Sequence, residues 1–330
     1  MFLLSRICLI GSAKISIICQ FINELQKMLC NTNWIYHFWR YFFNLNAVLI
    51  FNTKKDLDAH LSGLRKGGKR IGLVPTMGAL HQGHLSLLNF IKEYSDVQVC
   101  SIFVNPTQFN NLEDLKKYPR PKDADIEKLK QAECDVLFMP SVDEMYAEGE
   151  EWHIDLEKLD SILEGAFREG HYQGVTQIVK KLFDIIKPDV AGFGQKDYQQ
   201  YLVIKKMIEM LHIPVELKLC STVREEDGLA MSSRNIRLSA IGRQQALSIY
   251  RSLAYLRENI TSRTIQEVKR NAFQMLKESE GLELEYFEIC NPNNLEPVVA
   301  CEVNSTVIAL VAAWVDGVRL IDNMLIEINK

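Results

Sequence analysis

The chain has no excess of positive charge: 38 Lys and Arg stand against 42 Asp and Glu, a formal net of −4. With no basic field to hold a nucleic-acid backbone, such binding is disfavoured as the main task, which leaves room for a local basic pocket for a small anion. A tRNA-charging enzyme is disfavoured for the same reason, and no anticodon-reading domain is evident. The eight cysteines, at positions 8, 19, 30, 100, 134, 220, 290 and 301, include no CxxC pair and no zinc-like Cys/His cluster. They read as scattered buried thiols in a reducing compartment rather than as a disulfide framework. Long hydrophobic runs are missing too. Uncharged stretches such as residues 15–23 and 41–53 fall short of the ~18–20 residues a membrane-spanning helix needs, so no membrane partner is expected. Internal repeats and low-complexity segments are absent, and the 47% hydrophobic content is ample for a buried core.

What is present divides in three. Residues 1–46 carry four basic residues (Arg6, Lys14, Lys27, Arg40), one acid (Glu24) and nine of the 30 aromatics. This leader reads as an over-long translation start, an acid-poor organelle presequence or an interfacial helix, with the abrupt composition change favouring the first. It carries no recognisable chemistry. From Ala47 to residue 221, short apolar strands alternate with helical periods, which predicts a doubly wound, Rossmann-like parallel sheet with helices on both faces. Helices are expected over 56–66, 83–94, 124–132, 175–186 and 199–211. Strands are expected over 47–51, 71–75, 97–104, 134–139, 190–193 and 215–220. Residues 222–330 change texture: two helices, over 242–258 and 265–278, precede strands over 284–289, 306–314 and 318–323. That pattern predicts a smaller α+β domain.

In such sheets ligands bind at the carboxyl ends of the strands, and there the chemistry-bearing residues gather. Pro75-Thr-Met-Gly-Ala-Leu-His-Gln-Gly-His84 joins a strand to a helix. His81 and His84, three apart, project to one face, beside a helix N-terminus that suits phosphates. No Asp or Glu lies between Ile71 and Lys92 to repel an anion. Phe103-Val-Asn-Pro-Thr-Gln-Phe109 offers neutral hydrogen-bonders in Asn105 and Gln108. Glu164–Val175 reads as a glycine-rich loop carrying Arg168 and His171. Gly192-Phe-Gly-Gln-Lys-Asp-Tyr-Gln-Gln200 supplies Lys196 as a point charge for phosphate, with Asp197 and Gln200 beside it. Arg224–Asn235, with Ser232, Ser233 and Arg234 behind Gly228, reads as an anion clamp able to close over a triphosphate. Each segment alone has a plain structural reading as a turn, a cap or a solvated loop. Four of the five follow strands, however, so the fold gathers them at one rim. Neither a Walker A sequence nor a G-x-G-x-x-G after the first strand is present.

Taken together, Pro75-Thr-Met-Gly78, His81-Gln-Gly-His84, Val104-Asn-Pro-Thr-Gln-Phe109, Tyr118-Pro-Arg120, Gly170-His171, Lys196-Asp-Tyr-Gln-Gln200 and Met231-Ser-Ser-Arg-Asn235 resemble the pantothenate synthetase (pantoate–β-alanine ligase) family. The resemblance covers about Ala47 to the C-terminus. It implies ATP-dependent joining of pantoate to β-alanine through a pantoyl-adenylate, with Mg²⁺, a cytoplasmic setting and a homodimer. The implied ATP-binding residues are Met77, Gly78, Ala79, Leu80, His81, Gln82, Gly83, His84, Gly194, Gln195, Lys196, Asp197, Val223, Met231, Ser232, Ser233 and Arg234. Gln108 and Gln200 would hold pantoate, and Arg168 and His171 would complete the substrate site, with Arg168 for the β-alanine carboxylate. His84 would be catalytic, assisted by His81 and Lys196, and Asp125 matches a position linked to the metal. Two positions depart from the family pattern: Glu169 replaces a usual Pro, and Gln195 a frequent Glu. A cytidylyl- or adenylyl-transferase shares the HxGH and Ser-Ser-Arg segments but does not need both Gln108 and Gln200. A catalytically silent nucleotide-binding module is the remaining alternative.

Overall fold

The computed structural model describes residues 48–300 and 302–328. The leader over residues 1–46, with Cys8, Cys19 and Cys30, lies outside them, as does Cys301. Six strands form one sheet: β1 (Leu49–Phe51), β2 (Ile71–Thr76), β3 (Val97–Ile102), β4 (Val136–Phe138), β5 (Val190–Gly194) and β6 (Glu216–Cys220). Their order is β1-β4-β3-β2-β5-β6 and every pairing is parallel. Five helices cover it: α1 (Lys54–Lys66), α2 (Gln82–Ile91), α3 (Lys122–Gln131), α4 (His171–Ile186) and α5 (Tyr198–Met210). Helix α1 shows why the segments fold as they do. The Thr53 side chain caps it by accepting the Asp56 N–H, and Leu57, Leu61 and Leu64 recur at helical spacing on its buried side.

Adjacent strand residues serve opposite faces. Leu73 packs in a core with α1, α4 and α5, whereas its neighbour Val74 packs with α2 and α3. Burying each such side chain contributes about 1.5–3 kcal/mol relative to exposure. From β2 the chain winds outward through β3 and β4, then returns to the other side of β2 for β5 and β6. The reversal leaves a crevice beyond the carboxyl ends of β2 and β5, where doubly wound sheets hold ligands.

The later part builds a second sheet, β7 (Leu282–Cys290), β8 (Ser305–Val315) and β9 (Val318–Ile328), antiparallel in the order β7-β8-β9. Helices α6 (Leu247–Asn259) and α7 (Ile265–Lys277) cover one of its faces. From the opposite face Cys290, Ile308 and Leu310 pack with Tyr198 and Leu202 of α5.

Three expectations are revised. Residues 164–175 are not an open loop. A short helix runs over Glu164–Phe167, and α4 starts at His171, because Gly170 turns the chain in the left-handed region at φ 72°. The helix expected over 242–258 runs as two, Ala240–Gln245 and Leu247–Asn259, meeting at Ala246; Ser239, held by the Asp316 carboxylate, caps the first. Strand β9 continues to Ile328, because its apolar alternation persists through Met324, Ile326 and Ile328. The described cysteines, Cys100, Cys134, Cys220 and Cys290, are all free thiols. None of the described helices is long and apolar enough to cross a membrane.

Candidate active site

The segment after β2 is held from beneath by an acid that the local sequence does not reveal. Gly78 (φ 83°) and Ala79 (φ 48°) both lie in the left-handed region, which for Ala79 costs on the order of 1–3 kcal/mol and persists only when its surroundings enforce it. Asp125 of α3, 1% exposed, supplies that enforcement by accepting the Ala79 N–H at 2.8 Å and the Leu80 N–H at 2.7 Å. A Cβ at Gly78 would lie 3.2 Å from the same carboxylate and 3.1 Å from Ile102. Each Asp125 oxygen thus accepts one backbone N–H, and the carboxylate holds this turn in place. Among the described residues no group of three His, Cys, Asp or Glu side chains could hold a metal ion.

The two histidines cap α2 themselves. His81 Nδ1 accepts the Gly83 N–H at 3.2 Å, and His84 Nδ1 accepts the His81 N–H at 3.2 Å. Their rings lie 4.1 Å apart between centroids. A ring nitrogen that accepts a backbone N–H carries no proton, so each neutral imidazole holds its proton on Nε2. Burial, reinforced by Lys196 and Lys128, pushes His81 down to about 4. Burial, then His81 and Lys196, lowers His84 well below the ordinary imidazole range. At neutral pH both rings are uncharged donors. The helix N-terminus differs here from its expected role. The Gly83 and His84 N–H groups are already bonded to His81, so the imidazoles, rather than those amides, are the donors left for a ligand.

At the end of β3, buried Asn105 donates to Gln108 Oε1 (3.1 Å) and to the Gly174 carbonyl (3.0 Å), and accepts the Tyr146 hydroxyl (2.6 Å). Gln108 Nε2 meets only a weak acceptor, Met77 Sδ, at 3.2 Å. His171 donates from Nδ1 to the Gln108 carbonyl at 2.8 Å. Burial, followed by Arg168, drives its pKa down to about 3. Gly174 lies inside α4 because a Cβ there would come within 2.4 Å of the Thr107 carbonyl oxygen. Asn105 and Gln108 border a cavity of about 160 Å³ whose wall also includes Met77, His84, Tyr118, Asp197 and Gln200, with Val175 and Ile178 of α4 as its apolar part.

Lys196 and Asp197 stand in the turn after β5, and both also line a smaller adjoining cleft with Arg168, His171 and Gln200. Arg168 is not alone there. Its guanidinium lies 3.8 Å from Glu164, which Arg319 of β9 clasps through two bonds (2.7 and 2.8 Å) and the Tyr286 hydroxyl reaches at 2.8 Å. Burial alone would raise the Glu164 carboxyl, but Arg319 outweighs it and holds the group below its ordinary value. Gln195 donates from Nε2 to Asn323 Oδ1 at 3.2 Å, and Glu169 contributes its carbonyl to Asn110.

The 223–237 segment is already closed onto the HxGH loop. The Met231 N–H donates to the Val223 carbonyl at 3.0 Å, and Ser233 Oγ donates to the Ala79 carbonyl at 3.1 Å. Arg234, read from the sequence as part of an anion clamp, is paired with Asp114 at 3.1 Å and lies over the Tyr118 ring at 5.9 Å. Asp114 also takes Arg237 at 3.2 Å. The acid-free neighbourhood expected around residues 71–92 is thus filled by Asp114 and Asp125, brought in from elsewhere in the chain. Even so, the residues singled out in the sequence converge. His84, Asp197 and Gln200 share one cavity, Lys196 adjoins it, and Ser233 and Arg234 close over Ala79 and Tyr118. Sequence reasoning missed Asp114, Glu164 with Arg319, and Asn323, whose partners lie about 120 to 155 positions away.

A family model described as pantoate-beta-alanine ligase matches residues 49–325. The pantothenate synthetase of Bacteroides thetaiotaomicron is 46% identical over 275 residues, 83% of this chain and 98% of the relative. That of Cytophaga hutchinsonii is 44% identical over 274 residues, 82% of this chain and 97% of the relative. Among solved structures, the Thermus thermophilus enzyme superposes with a TM-score of 0.80 at 38% identity, covering 86% of this chain and 100% of that one. A pantoate-beta-alanine ligase from Francisella tularensis, complexed with beta-gamma ATP and beta-alanine, gives 0.70 at 35% identity, covering 84% and 98%.

Proposed function

The chain belongs to the pantoate–β-alanine ligase family, and from that premise we propose how its residues divide the work. It is an AMP-forming ligase that joins pantoate to β-alanine at the expense of ATP. The proposed course is the two-step one, through a pantoyl-adenylate with release of pyrophosphate. A carboxylate oxygen is a poor leaving group, and transfer of AMP to it makes a good one. Pantoate occupies the 160 Å³ cavity, with its methyl groups against Val175 and Ile178 and its oxygens on Gln108 and Gln200. ATP lies along Met77–His84, Gly194–Asp197, Val223 and Met231–Arg234, so its α-phosphorus faces the pantoate carboxylate.

As that carboxylate attacks, negative charge builds on the phosphate oxygens. The Nε2–H groups of His81 and His84, the Lys196 ammonium and the Ser232 and Ser233 hydroxyls are donors placed to receive it. Arg234 joins them by exchanging Asp114 for phosphate. Neutral imidazoles suit this role, because they donate without needing to lose a proton. One such donor is typically worth ~10²–10³ in rate. The β-alanine amine then attacks the acyl carbon, the acyl C–O bond breaks with AMP as leaving group, the amine gives up a proton to water, and orientation beside the adenylate supplies much of the catalysis. Arg168, steadied by Glu164, receives its carboxylate, with His171 behind it. Residues 47–221 and 222–330 act as two domains, the second carrying the closing segment.

Magnesium, implied by the resemblance, has no group of three His, Cys, Asp or Glu side chains to hold it among the described residues, and Asp125 accepts two backbone N–H groups. A homodimer in the cytoplasm completes the reading; the free described thiols support the compartment.

One observation carries the proposal: His84, with His81 against its ring, and the Gln108–Gln200 pair meet at a single cavity bordered by His84, Gln108 and Gln200, at the point where the strand order reverses. Exchange of labelled pyrophosphate into ATP without β-alanine tests it. Exchange that requires pantoate is expected; exchange indifferent to pantoate, or none, contradicts the adenylate route.

A further inference from the structure

The 3-10 turn that carries Lys196, Gln195–Asp197, is three residues long and has no side-chain cap, yet a phosphate-binding ammonium needs a fixed origin. The hold comes from the other sheet. Asn323, in the middle of β9 opposite Leu310, is 2% exposed and spends its entire side chain on this turn. Its Nδ2 donates to the carbonyl of Gln195 at 2.8 Å and to that of Lys196 at 2.9 Å, while its Oδ1 accepts from Gln195 Nε2 at 3.2 Å. Two successive carbonyls bonded to one amide fix the orientation of both peptide planes. The Lys196 side chain therefore leaves from a defined direction. Its ammonium makes no salt bridge with any described residue and, with Asp322 and Asn323, lines the cleft beside the cavity.

Asn323 is itself held from behind. Its N–H donates to Asp322 Oδ1 at 2.7 Å, and its carbonyl accepts from Arg224 at 3.2 Å. Arg224 grips the same Asp322 carboxylate through two bonds of 2.6 and 3.0 Å and packs over the Tyr250 ring at 5.0 Å. Arg224 also bridges to Ala230, where the segment leading to Ser232 and Ser233 begins. One position on β9 thus sets the pose of Lys196 and is bonded to the root of the closing segment.

We propose that Asn323 is a positioning residue for adenylate formation, acting through the Lys196 turn and touching neither substrate. This rests on the reading of Lys196 as a phosphate ligand. The departure at position 195 gives the contact a particular form in this chain, since a glutamine there donates to Asn323 Oδ1 where a glutamate could not.

The test is a double-mutant cycle on pantoate-dependent pyrophosphate exchange, run on the full-length chain with Asn323→Leu, Lys196→Ala and the double variant. Asn323→Ser replaces the leucine variant if the latter does not fold. A positioning role predicts a loss of up to about 10²-fold in kcat, with the KM for pantoate unchanged within about twofold. It also predicts that this loss disappears when Lys196 is already alanine. Losses that multiply independently overturn the proposal alone, as does wild-type kcat in both Asn323 variants. Full exchange in Lys196→Ala overturns the phosphate reading of Lys196, and the proposal with it.

Discussion

His81 and His84 show what spacing reveals and what it does not. Three residues apart at a helix start, they are expected on one face, and their rings meet there, tilted by 47° with centroids 4.1 Å apart. Their protonation was not legible, because it depends on which nitrogen accepts a backbone N–H and on Lys128 and Lys196, which come from other parts of the chain. His84→Ala is expected to lower pantoate-dependent exchange by ~10²–10³ while circular dichroism stays that of the folded protein. Near-normal turnover would remove His84 from the mechanism. Burial of neutral histidines also sets an acid limit. The folded pKa is about 4 for His81 and about 3 for His171, both below the unfolded value of 6.5. The unfolded chain therefore binds more protons between those values, and stability falls as pH drops from about 6.5 toward 3. Urea midpoints at pH 7 and pH 5 measure this. The decline should be smaller in His171→Asn, whose amide can still donate to the Gln108 carbonyl; an equal decline would place the acid sensitivity elsewhere.

Strands and helices between residues 49 and 220 follow the sequence pattern closely, since alternation of apolar strands with amphipathic helices is a local signal. The segment over 164–175 did not, because its glycines suggested a loop. Gly174 is instead a contact glycine, present so that α4 can approach the Thr107 carbonyl, which only the folded chain brings near. Gly174→Ala should therefore push α4 away from Asn105 and Gln108. A loss of about 1–3 kcal/mol in denaturant unfolding is expected, together with a raised KM for pantoate and a smaller change in that for ATP. Unaltered stability would mean that the helix has room to shift. The closing segment was legible as two serines and an arginine, but its partner was not. Asp114 reaches Arg234 from a short helix 120 positions earlier, and no local pattern marks an acid as the mate of a distant guanidinium.

The two sheets are joined by buried polar contacts as well as by apolar packing. Arg319 of β9 holds Glu164 with its two bonds and also contacts Glu285, so its removal strands a buried carboxylate. Arg319→Met should cost ~3–5 kcal/mol in unfolding experiments, and adding Glu164→Gln should restore much of that loss. No recovery would show that packing rather than charge pairing joins the parts there. Such long-range contacts explain why the architecture was readable and the wiring between its halves was not. Periodicity records which face of an element is buried, but not which residue of another element it meets. The claim on which the rest depends is that imidazoles, Lys196 and the closing segment share one phosphate site beside the pantoate cavity. A crystal structure with pantoate and a non-hydrolysable ATP analogue tests it most directly. Phosphate oxygens within hydrogen-bonding distance of His81 Nε2, His84 Nε2 and Lys196 Nζ are the expected result; a triphosphate bound away from all three would contradict the account.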